Sequence, residues 1–284
     1  MFQQYFFLLS LVSVIVLCSC EKEEKINPNE IVKEFTLKLS TEQSVVIPKN
    51  RAEKGEGTFR LYADHKLEFL IKISNLAQDD ALTGAYFGEG NYLKDNFIVR
   101  KIVDGTIKDI EGKIVAFQKD SVKAKIQLAA FEANEIIKLF PKLTCVVQSR
   151  KQPNGLLRGF TFGEVAFGID VPLSARNISP PISRNDSALV SLRLTTTNEL
   201  FSKITLVRFL NTDVIRTTRI HEGDRYVNNG TVVLTLANEA KDYGVIKNFS
   251  LTTEQAEKLK KEKLYIMTVS SFMTTPGLMR GQLR

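Results

Sequence analysis

The 284-residue chain carries 39 Lys and Arg against 32 Asp and Glu, a net charge of +7, with 43 % hydrophobic and 25 % charged residues. That is the balance of a soluble globular protein. With no tryptophan and only two histidines, it argues against a histidine-rich metal site, and no metal or cofactor is expected. The late basic residues Lys258, Lys260, Lys261 and Lys263 interleave with Glu254, Glu257 and Glu262. They read as a solvated helix face, whereas a nucleic-acid surface favours a one-sided basic stripe with aromatics between, so nucleic acid is not an expected partner.

The chain starts with an apolar run, Tyr5 to Leu17, tempered only by serines. It is too short for a comfortable membrane span and suits the apolar region of a signal peptide. Gln3 and Gln4 precede it where Lys or Arg is usual. The run ends Leu17-Cys18-Ser19-Cys20, which resembles a lipobox: an aliphatic residue, two small ones, then the cysteine to be lipidated. The resemblance implies that residues 1–19 are a lipoprotein signal peptide and that Cys20 is acylated, with membrane lipid as its partner. More than one acyl chain is needed for stable anchoring, each buried CH₂ contributing about 0.8 kcal/mol. Glu21-Lys22-Glu23-Glu24 resembles the surface-export signal of some Gram-negative lipoproteins, which implies the outer face of the outer membrane, the periplasmic face being the alternative. Residues 20–34 read as a lipidated polar tether. Of the three cysteines only Cys145 then remains, in the strand-like Leu143-Thr144-Cys145-Val146-Val147. No intradomain disulfide is possible, and a buried inert thiol is expected there. Neither His65 nor His221 shares a nucleophile motif with it.

The remainder reads twice. Phe59-Arg60-Leu61 leads to Leu67 as Leu192-Arg193-Leu194 leads to Leu200, and Gly155-Leu156-Leu157-Arg158-Gly159 recurs as Gly277-Leu278-Met279-Arg280-Gly281. Leu67, Phe69, Ile71 and Ile73 alternate with polar residues, as Phe35, Leu37 and Leu39 do, the period of half-buried strands. Val232, Val233, Leu234 and Leu236 read as a more fully buried strand. Short helices are expected over Phe131 to Phe140 and Leu251 to Lys263, each just before a strand. Thr252 and Gln255 fit a capping box, and Leu251 with Ala256 a hydrophobic staple. Glu254–Lys258 and Glu257–Lys261 fit favourable i, i+4 pairs. Repeats of roughly 125 residues are too long for a solenoid and mean tandem domains, at 35–162 and 163–284, with the boundary near 161–166. Turn signals such as Asn228-Asn229-Gly230 indicate antiparallel sheets. The expected fold is mainly β: two tandem antiparallel β-sandwich or barrel domains, each with one short α-helix before its last strands.

The ending Leu251-Thr252-Thr253-Glu254-Gln255, then Leu264-Tyr265-Ile266, then Pro276-Gly277-Leu278-Met279-Arg280-Gly281-Gln282-Leu283 resembles the C-terminal half of a CHRD domain, named after chordin, with a weaker version ending at Phe160. The resemblance implies an immunoglobulin-like β-barrel with no agreed biochemical activity. Its members often carry a mid-domain His-x-His motif. The matching stretches read as Ala85-Tyr86-Phe87-Gly88 and Val207-Arg208-Phe209-Leu210, neither with a histidine. Arg158 and Arg280 read as pins for the last hairpin, since a guanidinium fork suits carbonyls and carboxylates.

Two function classes compete on these residues. The first is a non-catalytic binding or structural module displayed on the cell envelope, with an envelope protein or glycan as ligand; tandem copies could give avidity toward a repeated ligand. The second is an extracytoplasmic hydrolase acting on envelope or dietary polymers. Carboxylates such as Asp79-Asp80 and Asp109 with Glu111 are available, but no motif fixes their separation, and Asp79-Asp80 reads as a turn. No Gly-x-Ser-x-Gly, His-Glu-x-x-His or phosphate loop occurs, so no catalytic residue is expected.

Overall fold

The computed structural model describes residues 27–180, 182–210, 212–224, 230–272 and 277–283. The Tyr5–Leu17 run, the lipobox with Cys20, the Glu21–Glu24 segment and the Asn228-Asn229 turn lie outside the described residues.

Two eight-stranded antiparallel sheets follow one another along the chain. The first holds β1 (Ile31–Ser40), β2 (Lys54–Tyr62), β3 (Lys66–Ser74), β4 (Leu82–Asn91), β5 (Lys94–Val103), β6 (Ser121–Gln127), β7 (Leu143–Ser149) and β8 (Leu157–Phe160). The second holds β9 (Val165–Ser174), β10 (Ser187–Thr195), β11 (Glu199–Arg208), β12 (Ile215–Glu222), β13 (Val232–Ala237), β14 (Ile246–Ser250), β15 (Leu264–Ser270) and β16 (Met279–Gln282). Helix α1 (Ala130–Lys138) precedes β7 and helix α2 (Thr253–Lys261) precedes β15. The strand orders are β5-β4-β7-β8-β1-β2-β3-β6 and β13-β12-β15-β16-β9-β10-β11-β14, so adding eight to every label turns one into the other. The fold is therefore mainly β, in two domains of one topology, each with a single helix before its last two strands.

Each sheet folds over its own core. Leu67, Phe69, Ile71 and Ile73 of β3 are buried, while Lys72 between them is exposed, which is the half-buried alternation read from the sequence. In the first domain the Phe59 ring of β2 meets Phe87 of β4 edge-on at 4.9 Å. Three strands separate these two in the sheet order, so the sheet closes on itself like a sandwich. Leu192, Leu194, Leu200, Ile220 and Ile266 form the matching core of the second domain.

Local signals set the turns and helix ends. His65 and Asn198 both take positive φ, 64° in each case, at the β2–β3 and β10–β11 turns. Their carbonyls accept from Leu128 N at 3.1 Å and Leu251 N at 3.0 Å, the residues that lead into the two helices. The capping box of α2 forms as expected: Gln255 N donates to Thr252 Oγ1 at 3.2 Å and Thr252 N to Gln255 Oε1 at 3.1 Å. Leu251 packs on the same core that buries Ala256 and Leu259, and Lys258 pairs with Glu254 at 3.6 Å and Lys261 with Glu257.

Three expectations need correction. Both helices are shorter than read: α1 ends at Lys138 and gives way to a 3-10 turn over Phe140–Lys142, because Pro141 cannot donate to a continuing helix. The Val232–Leu236 run is only partly buried: Leu236 is sealed and Val233 and Leu234 pack on the core, but Val232 is 45 % exposed; β13 sits at the sheet edge beside β12 alone, so one flank stays open. β1 starts at Ile31, inside the segment read as tether, and Phe35, Leu37 and Leu39 belong to the first domain itself.

The domains touch through a short connection, Thr161–Glu164, between β8 and β9. Arg193 of β10 is fully buried at this joint. Its guanidinium donates to Ser44 O at 2.7 and 3.2 Å, to Val45 O at 3.1 Å and to Asp170 Oδ1 at 2.9 Å. Asp170 Oδ2 in turn accepts from Ile47 N at 2.9 Å. Beside it the Tyr92 ring packs on Phe160, Phe162 and Phe201 with centroids 4.6 to 5.2 Å apart. Arg193 Nη1 also donates to Ile169 O at 3.2 Å and Leu192 O at 2.8 Å. A buried charge satisfied by four backbone carbonyls, two from each domain, and a carboxylate, next to an aromatic cluster, holds two bodies in one orientation.

Candidate functional site at the Gly-x-x-Arg-Gly strands

The repeated motif builds β8 and β16 and the turns that enter them. Gly155 and Gly277 open the motif at φ of 127° and 110°, which side-chain-bearing residues rarely adopt. The next two apolar residues are buried. The closing glycine lets this strand approach the first strand of its domain. A Cβ at Gly159 would lie 2.7 Å from Lys38 O, and one at Gly281 would lie 2.6 Å from Pro172 O. The arginine between them is buried in both copies, at 1 % and 2 % exposure.

Each arginine crosses to the far hairpin of its own domain. Arg158 Nη2 pairs with the Asp95 carboxylate and donates to Lys94 O at 3.4 Å. Arg280 Nη2 donates to Asp224 O. The expectation that these residues pin the last hairpin is therefore corrected: they tie β8 and β16 to the entry of β5 and the exit of β12. Burial lowers the Arg158 guanidinium and raises the Asp95 carboxyl from their ordinary values, each opposed by the partner charge.

The surroundings of the two arginines differ. The Arg280 guanidinium lies 3.6 Å from the Tyr265 ring centroid, a desolvated cation–π contact. His221 stacks on the same ring, 5.0 Å away at 6°, and shares Nδ1–Gly230 O at 3.0 Å. Burial lowers the His221 pKa, Gly230 opposes, and Arg219 and Arg280 lower it further. In the first domain the place of Tyr265 is taken by Thr144, which donates to Gly88 O at 3.1 Å. Arg158 there floors an open cleft of about 350 Å³, walled by Val45, Val46 and Pro48 and rimmed by Gln152 and Asn154.

The register also corrects the mid-domain assignment. Ala85 to Gly88 pair with Val147 to Thr144 on β7, and Thr218 to His221 pair with Thr268 to Tyr265 on β15. The second-domain counterpart of Ala85–Gly88 is therefore Thr218–His221, not Val207–Leu210, and it ends on a histidine. Val207 and Arg208 close β11 instead.

Residues 169–283 match the CHRD domain. No curated protein and no solved structure matches the chain. The CHRD match spans β10 to β16 and most of β9, and so contains Arg193, His221, Arg280 and the whole second motif.

A second set of duplicated charges was missed by the sequence reading. Below the CHRD sheet, Arg184 donates to Asp186 at 2.6 Å and to Asp213 at 2.6 Å, and Ser270 Oγ donates to Asp213 at 2.6 Å. The first domain repeats it: Arg51 to Glu53 at 2.6 Å, Arg51 to Asp80 at 2.8 Å, and Ser149 Oγ to Asp80 at 2.7 Å. Burial alone would raise Asp80, but Ser149, Arg51 and two backbone amides outweigh it and hold its carboxyl at about 2. Asp213 is held lower still by the same kind of partners against its own burial. Asp80 is thus a structural anchor rather than a free turn carboxylate. Its neighbour Asp79 pairs with Lys151 at the surface. Asp109 accepts from Glu111 N at 2.9 Å and Lys113 N at 2.8 Å in a local turn.

Cys145 is fully buried and free, and burial pushes its thiol up to about 12. Its pairing partners on β4 and β8 are Phe87 and Gly159, neither of which carries a base. Among the described residues no three His, Cys, Asp or Glu side chains gather as a metal site.

Proposed function

We propose that the protein is an extracytoplasmic lipoprotein, acylated on Cys20, whose two CHRD-like domains act together as a non-catalytic binding module on the outer membrane surface. The observation that carries the reading is the element-by-element duplication. The first domain repeats the CHRD-matched one in strand order, in the glycine-flanked arginine and in the Arg–carboxylate–Ser network. This duplication supports reading the first domain as a second CHRD-type copy. The Arg193 joint supports a binding role: it presents both copies in a fixed orientation, so a ligand pays no entropy to align them.

Labelling growing cells with radioactive palmitate tests the anchor. Wild type should carry label that Cys20→Ala abolishes; equal labelling of the two would refute lipidation at Cys20. Protease added to intact cells tests the address. Digestion without outer-membrane disruption supports the surface, and protection until disruption overturns it in favour of the periplasmic face.

A further inference from the structure

The cleft above Arg158 has the chemistry of a site. Its charged lining is one guanidinium and one carboxylate, Arg158 and Asp95, so it offers a donor and an acceptor side by side without net charge. Arg158 is 1 % exposed, yet Nε and Nη1 have no hydrogen-bond partner in the structure. Leaving buried donors of a charged group unmet costs free energy. Asp95 keeps two-fifths of its side chain exposed. Gln152 and Asn154 also line the cleft; among the described residues their side chains make no hydrogen bond, and each amide supplies both donors and an acceptor. Val45, Val46, Pro48 and Val146 supply the cleft's apolar lining, Val146 directly beside Arg158 across the β7–β8 ladder. The volume lies within the range of small-molecule sites.

The rest of the molecule offers less. The His221–Tyr265–Arg280 stack borders Asp224 and Gly230, and the residues between them lie outside the described ones. The exposed apolar residues Phe97, Ile98 and Phe131 lie on the β5 edge and α1 with nothing to say what covers them.

Together these features select among ligand classes. A simple anion would meet the Asp95 carboxylate as well as the guanidinium and gain little. A purely apolar ligand would bury Arg158, Asp95 and two amides without partners. A hydroxyl both donates and accepts, so it can bridge Asp95 and Arg158 at once, while ring C–H groups lie on the valine and proline wall. The geometry points to a saccharide unit, uncharged and hydroxyl-rich, bound between the Ser44–Pro48 loop and the β7–β8 turn of the first domain. This deepens the binding-module reading and rests on it. It also makes the copies unequal: the first reads the glycan, and in the second Tyr265 stacks on the arginine that would do so.

Titration calorimetry on the full chain in detergent tests this, with cellotetraose and chitotetraose as neutral probes, tetragalacturonate as the charged one and inorganic phosphate as the anion control. At least one neutral probe should bind with a Kd of about 1 mM or tighter. Val46→Trp, at an exposed position that fills the cleft, and Asp95→Asn should each weaken it at least tenfold, with unchanged denaturation midpoint for Val46→Trp. No heat from either neutral probe, or heat only from tetragalacturonate or phosphate, would overturn the saccharide assignment. Binding that persists in Val46→Trp would overturn the cleft while leaving the binding-module reading standing. Unlabelled Cys20 in the palmitate experiment would overturn the lipid anchor and leave the cleft standing.

Discussion

Arg60 and Arg193 occupy the same place in the two domains and do opposite things. Each sits on the second strand of its sheet, between two buried apolar residues. Arg60 faces solvent, half-exposed, and pairs across the ladder with an equally exposed Glu34 at 2.7 Å. Arg193 is sealed inside the joint. The difference starts from the cross-strand neighbour: Arg60 lies opposite Glu34, whereas Arg193 lies opposite Gly168. A Cβ at Gly168 would collide with the Glu42 carbonyl oxygen of the first domain. Removing that side chain lets the 3-10 turn at Thr41–Gln43 and the Ser44–Ile47 segment descend onto the second domain, where the arginine finds backbone carbonyls. One duplicated position thus became a surface ion pair in one copy and an interdomain lock in the other.

The sharpest way to break this comparison is to truncate both arginines. Arg193→Ala leaves Asp170 and the Ser44 and Val45 carbonyls without their donor, and breaking a buried, hydrogen-bonded pair costs about 3–5 kcal/mol. Arg60→Ala removes an exposed pair and should leave the midpoint where it was, since such pairs contribute little. Urea denaturation reads both. Equal effects of the two changes would mean the joint is not held by Arg193. A separate low-urea transition in Arg193→Ala would show the two domains unfolding apart.

The next change acts on the neighbour instead of the arginine. Gly168→Ala sets a methyl against the Glu42 backbone, which cannot swing aside as a side-chain tip could. It should cost about 3 kcal/mol, the upper end of overpacking, and Glu34→Ala at the equivalent place should cost nothing measurable. A neutral Gly168→Ala would place the first-domain loop elsewhere in solution.

Acid probes a feature the copies share. Asp80 has an ordinary value of 3.8 and is held at about 2 in the fold. A carboxyl depressed on folding contributes stability above its unfolded value and loses it as pH falls toward its folded one. Asp80 should therefore contribute about 2 kcal/mol at pH 5 and above, lost between roughly pH 4 and pH 2. Asp213, depressed further, loses its share across the same window and below it. Denaturation midpoints measured from pH 6 to pH 2 should fall over this range, and Asp80→Asn should flatten the slope. An unchanged slope in that variant would assign the acid sensitivity elsewhere.

How much of this could be read from the chain alone depended on whether a feature is local. The Gly-x-x-Arg-Gly repeat was legible because each glycine answers to a backbone need, a positive φ or a close strand, which only glycine meets. The β3 alternation and the α2 cap were legible for the same reason. The Arg51–Asp80 and Arg184–Asp213 networks were not, since Asp80 and Asp213 lie far along the chain from their arginines. The short Arg-x-acid repeats at Arg51–Glu53 and Arg184–Asp186 were the available signal. The place of His221 in the mid-domain stretch was not legible, because it depends on which residues pair between β12 and β15, and strand register alone gives that. The fates of Arg60 and Arg193 could not be told apart by their own neighbours, which are alike; the deciding residues, Glu34 and Gly168, sit across the ladder.

The smallest difference between the copies lies at their helix starts and gives the finest test. Thr252 caps α2 with its hydroxyl on Gln255 N. At the same place α1 has Ala129, which returns only half of the arrangement: its own N–H donates to Glu132 Oε2 at 2.9 Å, but it has no side-chain oxygen for the amide at Glu132. The backbone there is already extended, φ −69° and ψ 151°, close to the −67° and 158° of Thr252, so a hydroxyl would land without rearrangement. Ala129→Ser should stabilise the first domain by about 0.5–1 kcal/mol, and Thr252→Ala should destabilise the second by a similar amount. If the chain unfolds as one unit, the two changes combined should cancel in a single transition. If instead the double variant splits into two transitions moved in opposite directions, the joint at Arg193 transmits less stability than its burial implies.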